Sequence, residues 1–509
     1  MTAEYAKLFE PARATFKLLT TRMTDPDALG ALFDVVTREV DKLGEELKRQ
    51  LLQGHAQIRE LREVRVVVTD ADGNKRTRVR RGHRVLMTRF GEIVTGRLLY
   101  QLDGQEACAP LEAQMGLPRE SFTLDVREQV ARLAVAGSYD QTVELVTKGA
   151  SLQVAKRQAE ELTVRAARDF CAFYEDRHRE KEDSSALLVL TFDGAGVRMR
   201  IESLRPGTRK LAEQNVTEPK RWPARLRPGK KQSSKRMAQV AAVYGVDPHP
   251  RTVDDICSTL WTHAGNDARP PSKRPRPVNK RVWASAEREV PTVIAEAVDE
   301  ALARDPEQRR RWVVLIDGHE YQRECVEREL GRRNVSATII VDLIHVLGYL
   351  WGAANQFHAK DGKEAQSWVI DRARALLQGV SPSEVARGIR QSATKRKLEK
   401  RQAVDDCADY LIGNGAWMNY REALEHGLPI ATGVIEGACK HLVKNRMDLG
   451  GAKWHLAGAE VILCLRSLLL SGDWREYWAF HERQEMARVH SARYAGAPPN
   501  PLSGLSSAA

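Results

Sequence analysis

The sequence predicts an α/β fold, preceded by a mainly helical N-terminal region that contains a small β-sheet. Two observations lead to this prediction. Apolar residues recur with a helical period in residues 1–62 and again in residues 121–180. From residue 186 onward, short continuous apolar runs alternate with helical stretches. This second pattern is typical of a buried sheet that is covered by helices.

Residues 1–62 are predicted to be helical, and the rhythm is clearest between Leu29 and Leu47. Apolar side chains recur there every three or four positions, with charged residues between them. The period then changes, and residues 63–120 are predicted to form a small β-sheet module. Turn signals at Asp72-Gly73-Asn74 and at Gly91 predict two hairpins within it.

Residues 121–180 return to a helical pattern. We expect one helix over Tyr139–Lys148 after a Ser138 cap, and a second from Leu152 after a Ser151 cap. This spacing fits a helix-turn-helix whose second helix reads DNA. Any packed helical hairpin gives the same pattern, so the residues alone leave both interpretations open.

The α/β domain is predicted to span residues 186–480, and residues 481–509 are predicted to form a tail whose last segment, APPNPLSGLSSAA, is disordered. One amphipathic helix is expected over residues 284–303. The expected strands are the apolar runs Ala186–Phe192, Val197–Leu204, Met237–Val246, Trp312–Ile316 and Ala337–Val341.

The length of the chain, its apolar runs and its cysteines indicate the class of protein to which it belongs. A chain of 509 residues is long enough for two to four domains at roughly 150 residues each. Its apolar runs are far shorter than the ~20 residues that span a bilayer, and its N-terminus has no apolar signal region. The seven cysteines are single and contain no CxxC pair, which favours a reducing compartment. We therefore expect a cytoplasmic protein without membrane contacts.

The net charge of +12 is concentrated in clusters. Residues 205–236 contain eleven Lys and Arg but only two acids, and further basic clusters end at Arg281 and at Arg401. Each cluster alone is compatible with a solvated loop or helix face. Three such clusters together favour a polyanionic partner.

Three of the apolar runs are followed directly by an aspartate: Asp193, Asp317 and Asp342. Carboxylates at the ends of adjacent strands would lie close together at the edge where open α/β sheets bind ligands. Their repulsion favours a cation between them, and Mg²⁺ prefers such oxygen ligands. The alternative for each single aspartate is a turn residue or a helix cap.

A further carboxylate, Glu436, lies at the start of a predicted helix. Lys440 and Lys444 follow at intervals of four residues on the same predicted face, with Arg446 close by. The pattern fits either a surface ion pair or a metal-binding acid above phosphate-binding cations. The second interpretation suits phosphodiester chemistry, in which two metal ions activate the attacking oxygen and stabilise the leaving one.

These motifs resemble the ISKra-type insertion-sequence transposases, which are relatives of the Mutator-like DDE enzymes. The resemblance covers roughly residues 85–480, and it is carried by the following segments: LTFDGAGVRMR, KRMAQVAAVYGVDPHPRT, VVLIDGHE, VDLIHVLGYLWGAA, GLPIATGVIEGACKHLVKNRMDLGGAKWHLAGAEVILCLRS and SGDWREYW. It implies a ribonuclease-H-like catalytic domain with a basic insertion at about residues 205–236 and a helical insertion at about residues 355–430.

The same resemblance implies that Asp193, Asp317 and Glu436 form a DDE triad that binds two Mg²⁺ ions, with Mn²⁺ as a possible substitute. Asp342 and His345 match the D-x-x-H element of the Mutator-like enzymes, with either a catalytic or a structural role. The residues expected to contact DNA are Lys230, Lys231, Lys235, Arg236, Lys440, Lys444 and Arg446.

The expected function is that of a transposase. It would bind the terminal inverted repeats of its element, cleave DNA by Mg²⁺-dependent hydrolysis and join the 3′-hydroxyl ends to target DNA. The family resemblance implies a homodimer or larger assembly on double-stranded DNA, associated with the nucleoid. Two alternatives stay open, namely a domesticated DNA-binding protein and a structure-specific nuclease on the same fold.

Overall fold

The first and last parts of the chain belong to one packed unit, and the middle belongs to another. The computed structural model describes residues 3–149, 152–177, 185–217, 234–261, 274–360, 362–431 and 433–502. Met1–Asp176 and Trp474–Ala509 form the terminal unit, and Arg177–Asp473 form the central unit. Within the described ranges, the helices are too short or too polar to cross a lipid bilayer.

The described strands form two sheets. In chain order they are β1 (Arg78–Thr88), β2 (Gly91–Gln101), β3 (Leu187–Arg198), β4 (Lys235–Val246), β5 (Val278–Ser285), β6 (Trp312–Ile316) and β7 (Ala337–Val341). β1 and β2 form an antiparallel hairpin in the terminal unit. The other five form one mixed sheet in the central unit, in the order β5-β4-β3-β6-β7.

Helices account for most of the remaining described structure. In chain order they are α1 (Ala3–Lys7), α2 (Glu10–Met23), α3 (Pro26–Leu29), α4 (Phe33–Arg62), α5 (Pro110–Gln114), α6 (Leu124–Ala136), α7 (Tyr139–Gly149), α8 (Lys156–Ala166), α9 (Phe170–Asp176), α10 (Pro206–Thr217), α11 (Val253–Leu260), α12 (Val290–Arg304), α13 (Glu320–Arg332), α14 (Leu343–Phe357), α15 (Lys363–Leu377), α16 (Pro382–Lys395), α17 (Gln402–Gly413), α18 (Tyr420–Glu425), α19 (Gly433–Ala438), α20 (Asn445–Met447), α21 (Leu456–Ser471) and α22 (Trp474–Val489).

The small sheet of the terminal unit is simpler than the sequence predicts. The hairpin about Gly91 is present as β1 and β2, and α4 packs against β2. The hairpin predicted about Asp72-Gly73-Asn74 is reduced to a single bridge between Thr69 and Lys75. The Asp70 carboxylate accepts hydrogen bonds from the backbone N–H groups of Asp72 and Asn74, at 3.1 and 2.9 Å. This segment is therefore an aspartate-closed turn and not a strand pair.

The two helices predicted as a candidate helix-turn-helix are α7 and α8, and both pack against α6. Their shared core includes Val130, Val146, Leu152 and Leu162. The second helix begins at Lys156 and not at Leu152. The earlier start is wrong because Leu152 and Val154 lie in an extended segment that buries both side chains in this core.

The C-terminal segment is ordered further than predicted. After α22, the chain returns to the residues that follow α4: the Ala495 N–H donates to the Thr69 carbonyl at 3.2 Å, and the Pro501 carbonyl accepts from the Val64 N–H at 2.9 Å. Tyr494 is buried beside them. The prediction of a disordered tail is therefore wrong through residue 502, and residues 503–509 lie outside the described ranges.

The central sheet combines two kinds of pairing. β3 pairs antiparallel with β4, and β4 pairs antiparallel with β5. On its other side β3 pairs parallel with β6, which pairs parallel with β7. β6 and β7 match the predicted runs, and all five residues of β6 are buried. A continuous apolar run without polar alternation suits a strand that is covered on both faces.

Two predictions for the central unit are wrong, and one strand was missed. The run Val197–Leu204 is not a second strand: β3 continues through Arg198 because its ladder with β4 extends that far, and Ile201–Ser203 form a 3₁₀ turn. β5 was not predicted, since its charged first half hides the apolar second half. The helix expected over 284–303 begins only at Val290, after β5.

Candidate active site

The geometry of the parallel strands β3 and β6 places Asp193 beside Asp317. The strands pair from Leu188 with Trp312 to Thr191 with Leu315. Two residues beyond the last of these pairs lie Asp193, still within β3, and Asp317, directly after β6. Both are half-buried. Two carboxylates therefore occupy neighbouring positions at the carboxyl edge of the parallel strands, where ligands bind in open α/β sheets.

A tight turn holds Asp317. Gly318 has φ +83°, and a Cβ atom there would lie 2.6 Å from the Tyr410 hydroxyl. That hydroxyl donates to the Asp317 backbone carbonyl at 2.7 Å, and the His319 N–H donates to Asp317 Oδ1 at 2.8 Å. Burial and the Asp317 charge both raise the pKa of Tyr410, so the phenol stays protonated and able to donate. Backbone and side-chain contacts thus fix the direction of this carboxylate.

Asp193 is held by a residue that the sequence interpretation missed. Its Oδ1 accepts from the Gly194 N–H at 2.6 Å, and its Oδ2 accepts from the Cys439 thiol at 3.3 Å. Burial raises the pKa of Cys439, and the negative charge of Asp193 raises it further. Cys439 is therefore a neutral thiol donor. The available signal was its position, since it follows Glu436 by one helical turn.

Glu436 lies in α19, a short helix that packs against β3 and β4. Its side chain is exposed, and its charge contributes to raising the pKa of Cys439. Glu436 and Asp193 therefore both act on the same thiol, that of Cys439. In the residues that the structure describes, no three His, Cys, Asp or Glu side chains are arranged to hold a metal ion. The structure brings Asp193 and Asp317 together but does not place Glu436 in one ligand shell with them.

Asp342 and His345 lie at the start of α14, and His345 is close enough to Asp193 and Asp317 to be affected by their charges. Asp342 is buried and caps the helix, because its Oδ1 accepts from the Ile344 N–H at 2.7 Å. His345 Nδ1 lies 3.5 Å from Asp342 Oδ2. The Asp342 carboxylate raises the pKa of His345 despite partial burial, and the charges of Asp317 and Asp193 act in the same direction. Asp342 therefore has a structural role as a cap and an electrostatic role toward His345.

The helix that follows Glu436 departs from the regular geometry assumed in the sequence interpretation. Residues Cys439–Lys444 form a π-helical turn, with wider hydrogen bonds than an α-helix. Glu436, Lys440 and Lys444 therefore do not follow one α-helical face at intervals of four residues. Lys440 and Lys444 are nevertheless exposed to solvent.

The remaining cations predicted to contact DNA divide into three groups. Lys235 is exposed, whereas Lys230 and Lys231 lie outside the described residues. The Arg236 guanidinium donates to the backbone carbonyl of Ala286 at 2.6 Å. Arg446 is 2% exposed and stacks 4.8 Å above the Trp454 ring. For Arg446 the structure thus corrects the prediction, since its guanidinium is buried within the fold. Arg236 is half-buried, and its contact with DNA stays a prediction.

No protein-family model matches the chain, and no curated protein sequence matches it. Among solved structures, the chain is similar to the Drosophila P element transposase strand transfer complex. The identity is 12%, the match covers 73% of this chain and 85% of that chain, and the TM-score is 0.26. A TM-score this low does not establish a shared fold.

Proposed function

We propose that the protein is a DDE-type transposase of the ISKra or Mutator-like kind, with a ribonuclease-H-like central unit. One observation carries the proposal: Asp193 and Asp317 lie side by side at the edge of a mixed sheet, on neighbouring parallel strands. Three antiparallel strands followed by two parallel ones are consistent with that fold. α19 packs against β3, and in this proposal it would supply Glu436 as the third acid.

The donor set suits Mg²⁺. Asp193 and Asp317 offer hard oxygen ligands, and Mg²⁺ usually binds one or two carboxylates while keeping several waters. Glu436 is exposed on a short helix, and the proposal requires its side chain to turn toward the two aspartates when DNA binds. Asp193, Asp317 and Glu436 would hold the metal, with Mn²⁺ as a substitute. Bound Mg²⁺ would polarise the phosphodiester and acidify the attacking water.

The chain's own residues would position this chemistry. The His319 N–H and the Cys439 thiol fix the two carboxylates, so little reorganisation is needed when substrate arrives. The exposed Lys440 and Lys444 would contact phosphates of double-stranded DNA, which supports affinity more than sequence recognition. The α7–α8 helix pair remains the candidate for reading the transposon end.

The test uses the purified protein, Mg²⁺ and the DNA that borders its own gene. We expect cleaved ends and joined products from the wild type. Asp193→Asn and Asp317→Asn should reduce both to the level seen without Mg²⁺ while end binding persists, because the amide removes a charged ligand but keeps the shape. Glu364→Gln, which neutralises an exposed acid in α15, is the matched control.

The products separate the alternatives. Cleavage without joining would indicate a structure-specific nuclease, and binding without cleavage would indicate a domesticated DNA-binding protein. Full cleavage by either asparagine variant would contradict the proposed active site.

A further inference from the structure

A cavity of about 370 Å³ lies in the central unit between the first half of β5 and the helix that carries Glu436. We call it the β5–α19 cavity. Its β5 side presents Arg276 and Lys280, and its helical side presents Gly433, Gly437 and His441. Val434 and Gly437 line the cavity and lie within two residues of Glu436 in the chain, so the cavity occupies a neighbouring face of the same short helix.

The described lining of this cavity carries positive charge that no carboxylate in the lining neutralises. No acidic side chain is among its described lining residues. Arg276 and Lys280 are exposed, and neither forms an ion pair with a carboxylate in the described ranges of the chain. The next basic residue in β5, Arg281, is instead buried and paired with Glu300. Two unpaired cations facing one concave surface attract an anion more strongly than cations that are neutralised within the fold.

Two glycines on the helical wall of the cavity leave free space next to the helix backbone. A Cβ atom added at Gly433 would meet nothing within 4 Å, and one at Gly437 would approach only the His441 ring, at 4.0 Å. Without side chains at these positions, a bulky anion can come close to the helix backbone. Combined with the two cations opposite, this shape suits a tetrahedral phosphate and its attached sugar.

We infer that the β5–α19 cavity binds a backbone phosphate of the DNA strand, with Arg276 and Lys280 as its ligands. The inference rests on the proposed function and deepens it, because it places a phosphate contact beside the helix of Glu436. Arg276 and Lys280 are thus positioning residues: they hold the strand and take no part in bond cleavage. Phosphate is also present in free ions, so the experiment must separate the two sources.

The DNA arm compares the double variant Arg276→Gln/Lys280→Gln with the wild type. DNA affinity is measured by fluorescence anisotropy between roughly 50 and 200 mM salt, with EDTA present to prevent cleavage. Each lost phosphate contact should reduce the slope of log K against log salt by about 0.9, so the double variant should lose up to about 1.8. Lys360→Gln/Lys363→Gln removes the same charge from an exposed segment outside the cavity and should leave the slope unchanged.

The phosphate arm needs no DNA. Inorganic phosphate is added to each protein at matched ionic strength, and the rise in Tm is recorded. The wild type and the Lys360/Lys363 control should gain more stability than the Arg276/Lys280 variant. Circular dichroism spectra establish that the variants are folded.

Each outcome decides the inference. A reduced salt slope in the Arg276/Lys280 variant alone supports it. An unchanged slope overturns the DNA contact and leaves the proposed function standing, and phosphate protection that depends on the same pair would then identify free phosphate as the ligand. If the wild type binds no DNA, the proposed function fails, and equal protection of all three proteins by phosphate would overturn the cavity as a phosphate site as well.

Discussion

Glu63, at the end of α4, is a carboxyl group in surroundings that suit its protonated form. It is 7% exposed. Its Oε2 accepts from the Leu98 N–H at 2.7 Å, while its Oε1 is buried and has no hydrogen-bond partner in the described part of the chain. Burial raises the pKa of Glu63 from 4.5 to about 7. The folded protein therefore holds this proton more tightly than the unfolded chain does.

We predict that Glu63→Gln stabilises the terminal unit in alkaline solution and has little effect near pH 4.5. The raised pKa means that the wild type loses stability as the pH rises from about 4.5 to about 7, and the loss persists above pH 7. Glutamine keeps the acceptor for Leu98 but never becomes charged. The gain is a few kcal/mol at most, since one pKa unit corresponds to about 1.4 kcal/mol.

The measurement is the difference in Tm between variant and wild type at pH 5 and at pH 8. Glu92→Gln, which changes an exposed glutamate of β2, should shift Tm little at either pH. A difference for Glu63→Gln that is the same at both pH values would show that the ionisation of Glu63 does not affect stability.

At the same scale, the sequence identified the two aspartates but not the groups that hold them. Asp193 and Asp317 stand out because each follows a continuous apolar run. Tyr410 carries no local signal, and Cys439 has only its position one helical turn after Glu436. Cys439 is 246 positions from Asp193, and Tyr410 is 93 positions from Asp317. Such contacts follow from tertiary packing, which periodicity and spacing do not encode.

At the scale of elements, predictability follows burial. β6 and β7 were predicted to the residue because each is an apolar run bounded by polar residues, interrupted in β7 only by the β-branched Thr338. β5 was missed because an edge strand needs burial on only part of its length, so Lys280 and Arg281 interrupt its pattern. The π-helical turn after α19 was equally hidden, since it has no compositional signal. Long-range pairing with β4 decided β5.

The turn after β6 offers a test at this scale. We predict that Gly318→Ala destabilises the central unit by about 1–3 kcal/mol, because the turn requires a left-handed backbone that a Cβ disfavours, and because this Cβ would lie 2.6 Å from the Tyr410 hydroxyl. The shift would also move Asp317, so under the proposed function Mg²⁺-dependent cleavage should fall with stability. Tm and cleavage rate are measured together.

Gly331→Ala provides the matched control. Gly331 lies in α13, and a Cβ there meets nothing within 4 Å. Alanine has the higher helix propensity, so this variant should be stabilised by up to about 1 kcal/mol. A Gly318→Ala protein as stable as Gly331→Ala would mean that the turn tolerates a side chain and does not constrain Asp317.

At the scale of the whole molecule, the terminal unit depends on contacts between residues far apart in the chain. Arg127 of α6 is fully buried, and it contacts Glu485 at 3.1 Å and His481 Nε2 at 2.9 Å, both in α22. His481 Nδ1 lies 2.7 Å from Asp169. Hydrogen bonding and charge from His481 and Arg488 lower the pKa of Asp169 even though burial opposes them. The predicted boundary between residues 480 and 481 divides α22 and is wrong, because the whole helix belongs to the terminal unit through these contacts.

We predict that a chain ending at Asp473 fails to form the terminal unit. Removing one partner of a buried ion pair costs about 3–5 kcal/mol, and this truncation removes Glu485, His481 and the apolar face of α22 together. A typical domain is stable by only 5–15 kcal/mol, so the loss is comparable to the whole stability. We expect residues 1–176 to become sensitive to limited proteolysis while residues 177–473 remain protected. A chain ending at Leu502, which keeps α22 and the Val64 contact, should match the full chain, and equal protection of residues 1–176 in both truncated chains would contradict the structural role of α22.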